Sequence, residues 1–404
     1  MKLSEELQWR GFVAEHTLDQ ISDLDKASHN FYWGTDPSAD SLHIGHLAAL
    51  MMCACFVRHG YTPYYLVGGA TGQIGDPKDT TERDLKPLDE IAHNKAALAK
   101  QIIRVTHSPE GTAVLDNNDW FKDIKFLPFL REIGKAFSMT QLLDRQFVQK
   151  RIGEGGSGIS YAEFSYTLIQ GYDFLHLFRT HHVDLQLCGA DQYGNCTSGI
   201  HLIKRLENAD ADCYSCPLII DKVSGRKFGK SEGNAVWLDK EKTSIFDFYQ
   251  FWLNQSDDAL EDYFKYFTFI MTEELDQILT EHRANPGARS GQKRLGFEVT
   301  KVVHGETAAR QAQKITAILF GDGQVTDLSA DELDLLAQSF PTAQCGESLV
   351  DALAITGLAS SKGEARKLIE AGAISVNGTK ATENQQLDSL CILKKGKNKF
   401  ALIR

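Results

Sequence analysis

A short stretch near the N-terminus places two imidazoles beside a glycine at a predicted helix start. Residues Asp40 to Leu47 (DSLHIGHL) follow a predicted strand, 30–35, and open the helix. His43 and His46 are three residues apart and so share one helical face. Gly45 has no Cβ, so a flat ring or a phosphate can approach the backbone. Helix starts also attract anions, and the pattern therefore predicts a site that holds a phosphoryl group during displacement.

The same stretch has one alternative interpretation and also predicts how the local helix begins and packs. The two histidines could lie on the surface near a helix start, and so short a pattern leaves that alternative open. Asp40 or Ser41 is the expected cap, because their side-chain oxygens can accept from the first free N–H groups. The helix from Ile44 to Arg58 is apolar on nearly all sides and is predicted to be buried.

A second polar group lies on another predicted helix. Ser160 and Glu163 fit a capping box, so a helix is expected to begin there. Tyr166, Gln170 and Asp173 are spaced four and then three residues apart and therefore share one face. A phenol, an amide and an acid beside aromatic residues favour a pocket for a small polar ligand, with a solvated stripe as the alternative.

A third candidate is a basic loop that contains glycine. In residues 226–234 (RKFGKSEGN), Lys227 and Lys230 supply positive charge that could close over phosphates. The alternative is an ordinary basic surface loop. An earlier glycine-rich loop at 68–77 follows neither standard phosphate-binding pattern and is a weak signal alone.

The elements that carry these residues alternate between strand and helix. Such alternation predicts an α/β fold with a doubly wound, Rossmann-like parallel sheet and ligands at the carboxyl ends of its strands. Later strands are expected at 184–189 and 217–220, and a hairpin at Asn377-Gly378. The predicted divisions are a Rossmann-like α/β domain (1–220), a linker with the basic loop (221–245), an all-helical domain (246–325), a connector (326–344) and a small α+β domain (345–404).

Composition limits the class of protein. The 404 residues are 42% hydrophobic and 24% charged, as in ordinary globular proteins. No apolar run is long enough to cross a membrane and the first residues lack a signal core, so a cytoplasmic protein without a membrane partner is expected. Eight scattered cysteines indicate reduced thiols, and the lone CxxC at 213–216 has no partner pair, so no zinc site is predicted.

The charge is unevenly distributed. A net charge of −11 argues against indiscriminate nucleic-acid binding, but residues 345–404 carry nine lysines and arginines against six acids. That region has a net charge of +3, which leaves −14 on the first 344 residues. A basic domain on an acidic body predicts one polyanion bound at one place.

The motifs, taken together, carry a resemblance to a known family. HIGH at 43–46 and KFGKS at 227–231 resemble the two nucleotide signatures of class I aminoacyl-tRNA synthetases. With WGTDP at 33–37, VGGATG at 67–72, GDP at 75–77, EFSY at 163–166, QGYDF at 170–174 and DQYGN at 191–195, the chain resembles bacterial tyrosyl-tRNA synthetases over essentially its whole length. The last domain resembles a small RNA-binding fold shared with a ribosomal small-subunit protein.

The resemblance implies an aminoacyl-tRNA synthetase that acts in two steps. The carboxylate of L-tyrosine attacks the α-phosphate of ATP, releasing pyrophosphate, and the tyrosyl group then passes to the 3′-terminal adenosine of tRNA(Tyr). Mg²⁺ would accompany ATP, without a tightly bound cofactor or a protein-bound metal. The implied catalytic residues around the phosphates are His43, His46, Lys227 and Lys230.

The same resemblance implies the binding residues. Tyr32 and Asp173 would bind the phenolic hydroxyl of tyrosine, Asp76, Tyr166 and Gln170 its ammonium, and Gln192 would lie near its carboxylate. The ATP-binding set is Gly34, Asp36, His43, Gly45, His46, Asp191, Lys227, Phe228, Gly229, Lys230 and Ser231. The tRNA-binding set is Lys362, Arg366, Lys367, Lys394 and Lys395. A homodimer is also implied, with the aromatic segment 120–137 as the candidate interface.

Three alternatives and three departures accompany the resemblance. The alternatives are a tryptophan enzyme, an RNA-binding protein on an inactive synthetase body, and another nucleotidyltransferase of the same fold. Phe228-Gly229 stands where the general class has methionine and serine, and Tyr193 replaces a common tryptophan. The segment 78–83 is about one residue shorter than in the family, and this departure puts in doubt the pyrophosphate contacts that the resemblance implies for Lys78 and Arg83.

Overall fold

The computed structural model describes residues 1–26, 29–77, 86–143, 146–153, 155–220, 228, 235–321 and 323–404. They group into two compact units. The first unit comprises Met1–Leu238 and Glu261–Leu275, and the second comprises Asp239–Leu260 and Asp276–Arg404. The five-part division expected from the sequence stays a prediction.

The strands and helices are numbered in chain order. The strands are β1 (Asn30–Thr35), β2 (Thr62–Val67), β3 (Ala113–Leu115), β4 (Val183–Gly189), β5 (Asp212–Cys216), β6 (Thr342–Ala343), β7 (Ile374–Val376), β8 (Thr379–Lys380), β9 (Cys391–Lys395) and β10 (Lys399–Ile403). The helices are α1 (Leu3–Arg10), α2 (Ile44–Arg58), α3 (Leu88–Thr106), α4 (Asn118–Phe121), α5 (Phe126–Glu132), α6 (Met139–Leu143), α7 (Gln146–Ile152), α8 (Tyr161–His181), α9 (Tyr193–Glu207), α10 (Ile245–Leu253), α11 (Leu260–Phe267), α12 (Thr272–Ala284), α13 (Ser290–His304), α14 (Glu306–Phe320), α15 (Ala330–Ser339), α16 (Leu349–Ile355) and α17 (Lys362–Glu370).

The first unit is built on a parallel sheet in the order β3-β2-β1-β4-β5. β1 pairs with β2 on one side and with β4 on the other, all in parallel. The chain thus runs outward in opposite directions from the β1–β4 pair, and the crevice at the carboxyl ends of such a pair is where α/β sheets bind ligands. The predicted α/β fold with a parallel sheet is confirmed.

The central strand and helix follow from their apolar sequences. Phe31, Tyr32 and Trp33 of β1 are buried, and ten of the fifteen residues of α2 are buried. Helix α8 begins with the predicted capping box, in which Ser160 accepts from the Glu163 N–H and the Glu163 carboxylate accepts from the Ser160 N–H. The predicted bounds of β1 and α2 are therefore confirmed.

The prediction of a strand at 217–220 was wrong. The strand beside β4 is β5, and its residues pair from Leu185↔Asp212 to Gly189↔Cys216. Pro217 follows it directly, and proline has no N–H to donate to a ladder, so the strand ends there. The sequence of β5, DCYSC, is buried but lacks the branched aliphatic residues that usually indicate a strand.

The second unit combines helices with a mixed sheet in the order β6-β10-β9-β7-β8. Asn377 and Gly378 have φ values of 47° and 80°, and they form the turn of the predicted hairpin between β7 and β8. The segment expected as a weakly patterned connector contains α15, whose Leu335 and Leu336 pack in one cluster with Phe400 and other residues. Among the described helices, none is both long and apolar enough to span a membrane.

Candidate active site

A cavity of about 790 Å³ lies in the first unit, at the carboxyl ends of β1 and β4. All thirteen described residues of the predicted tyrosine and ATP sets line it: Tyr32, Gly34, Asp36, His43, Gly45, His46, Asp76, Tyr166, Gln170, Asp173, Asp191, Gln192 and Phe228. The predicted residues Lys227, Gly229, Lys230 and Ser231 lie outside the described part of the chain, as do Lys78 and Arg83.

The two histidines cap the helix that they begin, which corrects the expected cap. His43 Nδ1 accepts from the Gly45 N–H at 3.0 Å, and the His43 N–H donates to His46 Nδ1 at 3.3 Å. Their ring centroids are 4.1 Å apart. Asp40 and Ser41 cannot cap α2, because the helix begins only at Ile44, after residues 42–44 have paired with the segment 236–238.

The second signature meets the first at Phe228. A Cβ added to Gly45 would lie 3.1 Å from the Phe228 carbonyl oxygen, so only glycine admits this approach without a shift. The Phe228 N–H donates to the Ile219 carbonyl at 2.8 Å, and its ring stacks on Phe267 at 5.5 Å. The described residue of the basic loop thus lies against the histidine-containing helix start.

At one end of the cavity lies a buried carboxylate. Asp173 is 1% exposed and accepts from Asn117 Nδ2 at 3.1 Å and from Trp120 Nε1 at 3.0 Å. Burial raises the pKa of Asp173 well above its ordinary value, against the two hydrogen bonds that lower it. Asn117 and Trp120 were missed as site residues, although the polar run after Leu115 marks the end of a strand.

Two buried polar atoms beside Asp173 have no partner among the described residues. They are the Tyr32 hydroxyl oxygen and Gln170 Oε1. Burial, and then the nearby cysteine thiols and Asp173, raise the pKa of the Tyr32 phenol well above its ordinary value. Unpaired buried polar groups are rare in folded proteins, and a ligand with polar atoms in this cavity could pair with both.

The remaining polar residues form two connected groups. Tyr166 donates to Asp36 Oδ2 at 3.0 Å, and burial raises the pKa of that phenol well above its ordinary value. Gln192 donates to Asp76 Oδ2 at 3.0 Å and accepts from Asn195 Nδ2 at 3.0 Å. These bonds fix the position of two carboxylates, which suits recognition of a cationic group.

The glycine-rich loop after β2 serves close packing. The Gly69 N–H donates to Asp116 Oδ1 at 2.9 Å, and a Cβ on Gly69 would lie 2.3 Å from that oxygen. A Cβ on Gly68 would lie 2.9 Å from Asp36 Oδ1. Gly68 and Gly69 are therefore required for contact with neighbouring side chains.

In the second unit, the five predicted tRNA-binding cations have different environments. Lys362 pairs with Asp351 at 2.5 Å and Lys395 with Glu364 at 3.2 Å. Lys394 lies 5.2 Å from the ring centroid of Phe400. Arg366 and Lys367 are exposed on α17. Within the described part of the chain neither of the last two forms an ion pair, whereas Lys362 and Lys395 do.

Comparisons with known proteins agree with this geometry. A model of class I tRNA synthetases (W and Y) matches residues 25–321, and a model of the tyrosine–tRNA ligase SYY-like C-terminal domain matches residues 332–403. A tyrosine–tRNA ligase of Lactobacillus delbrueckii subsp. bulgaricus is 42% identical over 416 residues, covering 99% of this chain and 97% of that protein. One of Leuconostoc mesenteroides is 42% identical, with 100% and 99% covered.

A solved structure supports the same assignment. The C-terminally truncated mitochondrial tyrosyl-tRNA synthetase of Coccidioides posadasii superposes with a TM-score of 0.68 at 30% identity, over 78% of this chain and 92% of that one. Sequence motifs, a nearly full-length relationship and the fold therefore agree: the chain belongs to the tyrosine–tRNA ligase family of class I tRNA synthetases.

Proposed function

We propose that this chain activates L-tyrosine with ATP and transfers the tyrosyl group to tRNA(Tyr). The observation that carries the choice of amino acid is the end of the cavity, where the buried Asp173 carboxylate and the Tyr32 hydroxyl lie together. The phenolic hydroxyl of a bound tyrosine can donate to the Asp173 carboxylate and form a hydrogen bond with the Tyr32 hydroxyl. Phenylalanine would leave the Tyr32 hydroxyl without a partner and would give Asp173 no bond beyond those from Asn117 and Trp120. A site of this kind discriminates strongly against the analogue that lacks the hydroxyl.

The other cavity residues suit the rest of the substrate. Asp76, Tyr166 and Gln170 offer a negative charge and polar atoms for the tyrosine ammonium, and Gln192 lies beside them for its carboxylate. His43 and His46 lie on the ATP side, where donors placed before the reaction would stabilise charge on the phosphoryl oxygens. Lys227 and Lys230 are proposed to add positive charge to the same phosphates.

ATP is proposed as a substrate, and Mg²⁺ as an ion that arrives with it. No three carboxylates or imidazoles in the described part of the chain lie close enough to share one ion. Asp36 and Asp76 already accept hydrogen bonds from Tyr166 and Gln192. We therefore propose that the phosphates of ATP bring the ion into the cavity.

The tryptophan alternative has less support. An indole has no hydroxyl for the Tyr32 and Asp173 pair, and the C-terminal match is to tyrosine–tRNA ligases. An inactive RNA-binding body is disfavoured because the cavity keeps both histidines and buried polar atoms without partners. Because tRNA is charged where proteins are made, we also propose a cytoplasmic location.

We further propose a homodimer. Within the candidate interface 120–137, Trp120, Phe129 and Phe137 pack against the core of the first unit. Phe126 and neighbouring Leu127 are 63% and 75% exposed. Two large apolar side chains on one short helix, α5, fit burial against a second copy. Sedimentation should show a dimer, and Phe126→Glu should shift it towards the monomer.

Tyrosine-dependent exchange of pyrophosphate into ATP tests the proposed activity. The full-length chain should catalyse exchange with tyrosine and far less with phenylalanine or tryptophan, and should then charge tRNA(Tyr). Exchange that is equal with tryptophan would overturn the choice of amino acid. No exchange with any of the three would leave only an RNA-binding role.

A further inference from the structure

Three cysteines from three elements meet next to the cavity. Cys188 lies on β4, Cys196 on α9 and Cys213 on β5, and they are 5%, 1% and 0% exposed. Their sulfur atoms all lie within 4.8 Å of one another, and Cys188 Sγ is 3.8 Å from Cys213 Sγ. All three are free thiols. The CxxC pattern at 213–216 does not predict this group, because only Cys213 belongs to it and Cys216 does not.

The geometry suits one metal ion held by three sulfurs. Three metal–sulfur bonds of about 2.3 Å in a trigonal plane would place the sulfur atoms about 4.0 Å apart. The Cys188–Cys213 separation of 3.8 Å is close to this value and the other two are at most 4.8 Å, so the thiols could bind without a large backbone movement. Thiolates are soft ligands and select zinc, copper(I) and related ions over magnesium or calcium.

We propose that Cys188, Cys196 and Cys213 form a binding site for one thiophilic d10 metal ion. Each thiol would release its proton to solvent and give a lone pair to the metal. The site joins β4, α9 and β5. Of these, β4 and α9 flank the segment that carries Asp191 and Gln192. The alternative is that the thiols pack only as small apolar side chains, together with Tyr193 and Ile200.

Cadmium titration of the reduced full-length chain tests the site, because Cd–thiolate bonds absorb in the ultraviolet. We expect one Cd²⁺ per chain, displaced by Zn²⁺, and an affinity at least about tenfold lower in Cys196→Ala. Cys53→Ala is the matched control, since Cys53 is also fully buried but lies outside the group. Cys345→Ala controls for binding to the exposed thiol.

A second readout guards against a misfolded variant. Circular dichroism must match the wild type, and Cys213→Ala must reproduce the loss seen in Cys196→Ala. Cd²⁺ should also raise the melting temperature of the wild type and of Cys53→Ala more than that of either cluster variant. No absorption in the wild type, or equal affinity in folded Cys196→Ala, would overturn the proposal whether or not tyrosine is activated.

Discussion

Single side chains determine what the cavity can recognise, and Asp173 is the most constrained of them. Its carboxylate is buried, so it needs hydrogen bonds to remain a useful acceptor. Asn117 and Trp120 provide two, from residues more than fifty positions earlier in the chain. These two residues orient the acceptor without belonging to either signature motif, so they act as positioning residues in the proposed reaction.

Replacement of Trp120 by phenylalanine tests this role. Trp120→Phe removes the bond to Asp173 Oδ1 but keeps a ring next to His176, on which the indole stacks at 4.3 Å. We expect the KM for tyrosine to rise about tenfold, as for loss of one hydrogen bond worth about 1.4 kcal/mol, with a smaller change in kcat. Trp9→Phe, outside the cavity, should leave both parameters unchanged; a matching rise there would contradict a specific role.

Gly45 tests the contact between the two signatures. A Cβ at this position would lie 2.6 Å from His43 Cε1 and 3.1 Å from the Phe228 carbonyl oxygen. Gly45→Ala should therefore lower the rate of adenylate formation more than tenfold, about 1.4 kcal/mol, while tyrosine affinity changes little. Gly363→Ala is the control, because its Cβ would meet only ordinary contacts. Normal exchange by Gly45→Ala would show that the two segments need not approach.

At this scale the sequence predicted residue types better than their contacts. The spacing of Tyr166, Gln170 and Asp173 indicated a shared face, and all three line the cavity. The bond from Asn117 could not be predicted, because it depends on the path of the chain between β3 and α4. The histidine cap was missed because imidazoles are uncommon caps compared with Asp40 or Ser41.

At the scale of elements, a buried ion pair connects α7 to the first turn of α8, the helix that carries three of the cavity residues. Arg151 on α7 donates to both carboxylate oxygens of Glu163 on α8, at 3.1 and 2.9 Å, and its Nε donates to the Gly158 carbonyl. Both side chains are at most 3% exposed. Because Glu163 also caps α8, the pair fixes where the helix that carries Tyr166 and Asp173 begins.

Arg151→Met should destabilise the protein by about 3–5 kcal/mol, because it leaves the Glu163 charge buried without its partner. Urea unfolding measures the loss, and Arg151→Met combined with Glu163→Gln should recover part of it. The exposed pair Lys204–Asp210 is the control, and Lys204→Met should cost less than about 1 kcal/mol. Similar losses at the two sites would contradict the importance of burial.

Elements with strong local patterns were predicted, and those with weak patterns were not. The bounds of β1 and α2 follow from apolar runs that end at turn residues. Strand β5 is recognised only through its pairing with β4, and α15 only through its packing on Phe400 and its neighbours. Tertiary contacts, which the sequence does not display, determine both.

At the scale of the whole molecule, acid stability should depend on Glu6. Its carboxylate contacts Arg10, Arg58 and His59. Burial alone would raise the pKa of Glu6, but these partners outweigh it and lower the pKa from 4.5 to about 2. The stabilisation, about 3 kcal/mol, is therefore present above pH 4.5 and lost as the pH falls towards 2.

Unfolding by urea between pH 2 and pH 7 checks this dependence. Glu6→Gln should be less stable than the wild type at pH 7 and should show a smaller loss on acidification. Glu110→Gln, at an exposed position, should follow the wild-type curve. Parallel curves for the wild type and Glu6→Gln would contradict the assignment.

Binding of tRNA should depend on the exposed cations of the second unit. Arg366→Gln with Lys367→Gln should weaken tRNA binding and flatten its salt dependence by up to about two units of slope, while pyrophosphate exchange is unchanged. Lys362→Gln is the comparison, because Lys362 is already paired with Asp351 and should matter less. Because the double variant removes two charges and Lys362→Gln removes one, an effect of Lys362→Gln half as large as that of the double variant would argue that simple charge, rather than accessibility, governs binding.

The unpaired Tyr32 hydroxyl and Gln170 carbonyl have one more consequence. Both atoms are buried and have no hydrogen-bond partner among the described residues, so a ligand that bonds them offsets a cost that burial imposes. An added amino acid with matching polar atoms forms hydrogen bonds with the two buried atoms and so stabilises the protein, whereas one without such atoms does not. Thermal protection by added amino acids should therefore rank them in the same order as catalysis does, before any chemistry takes place.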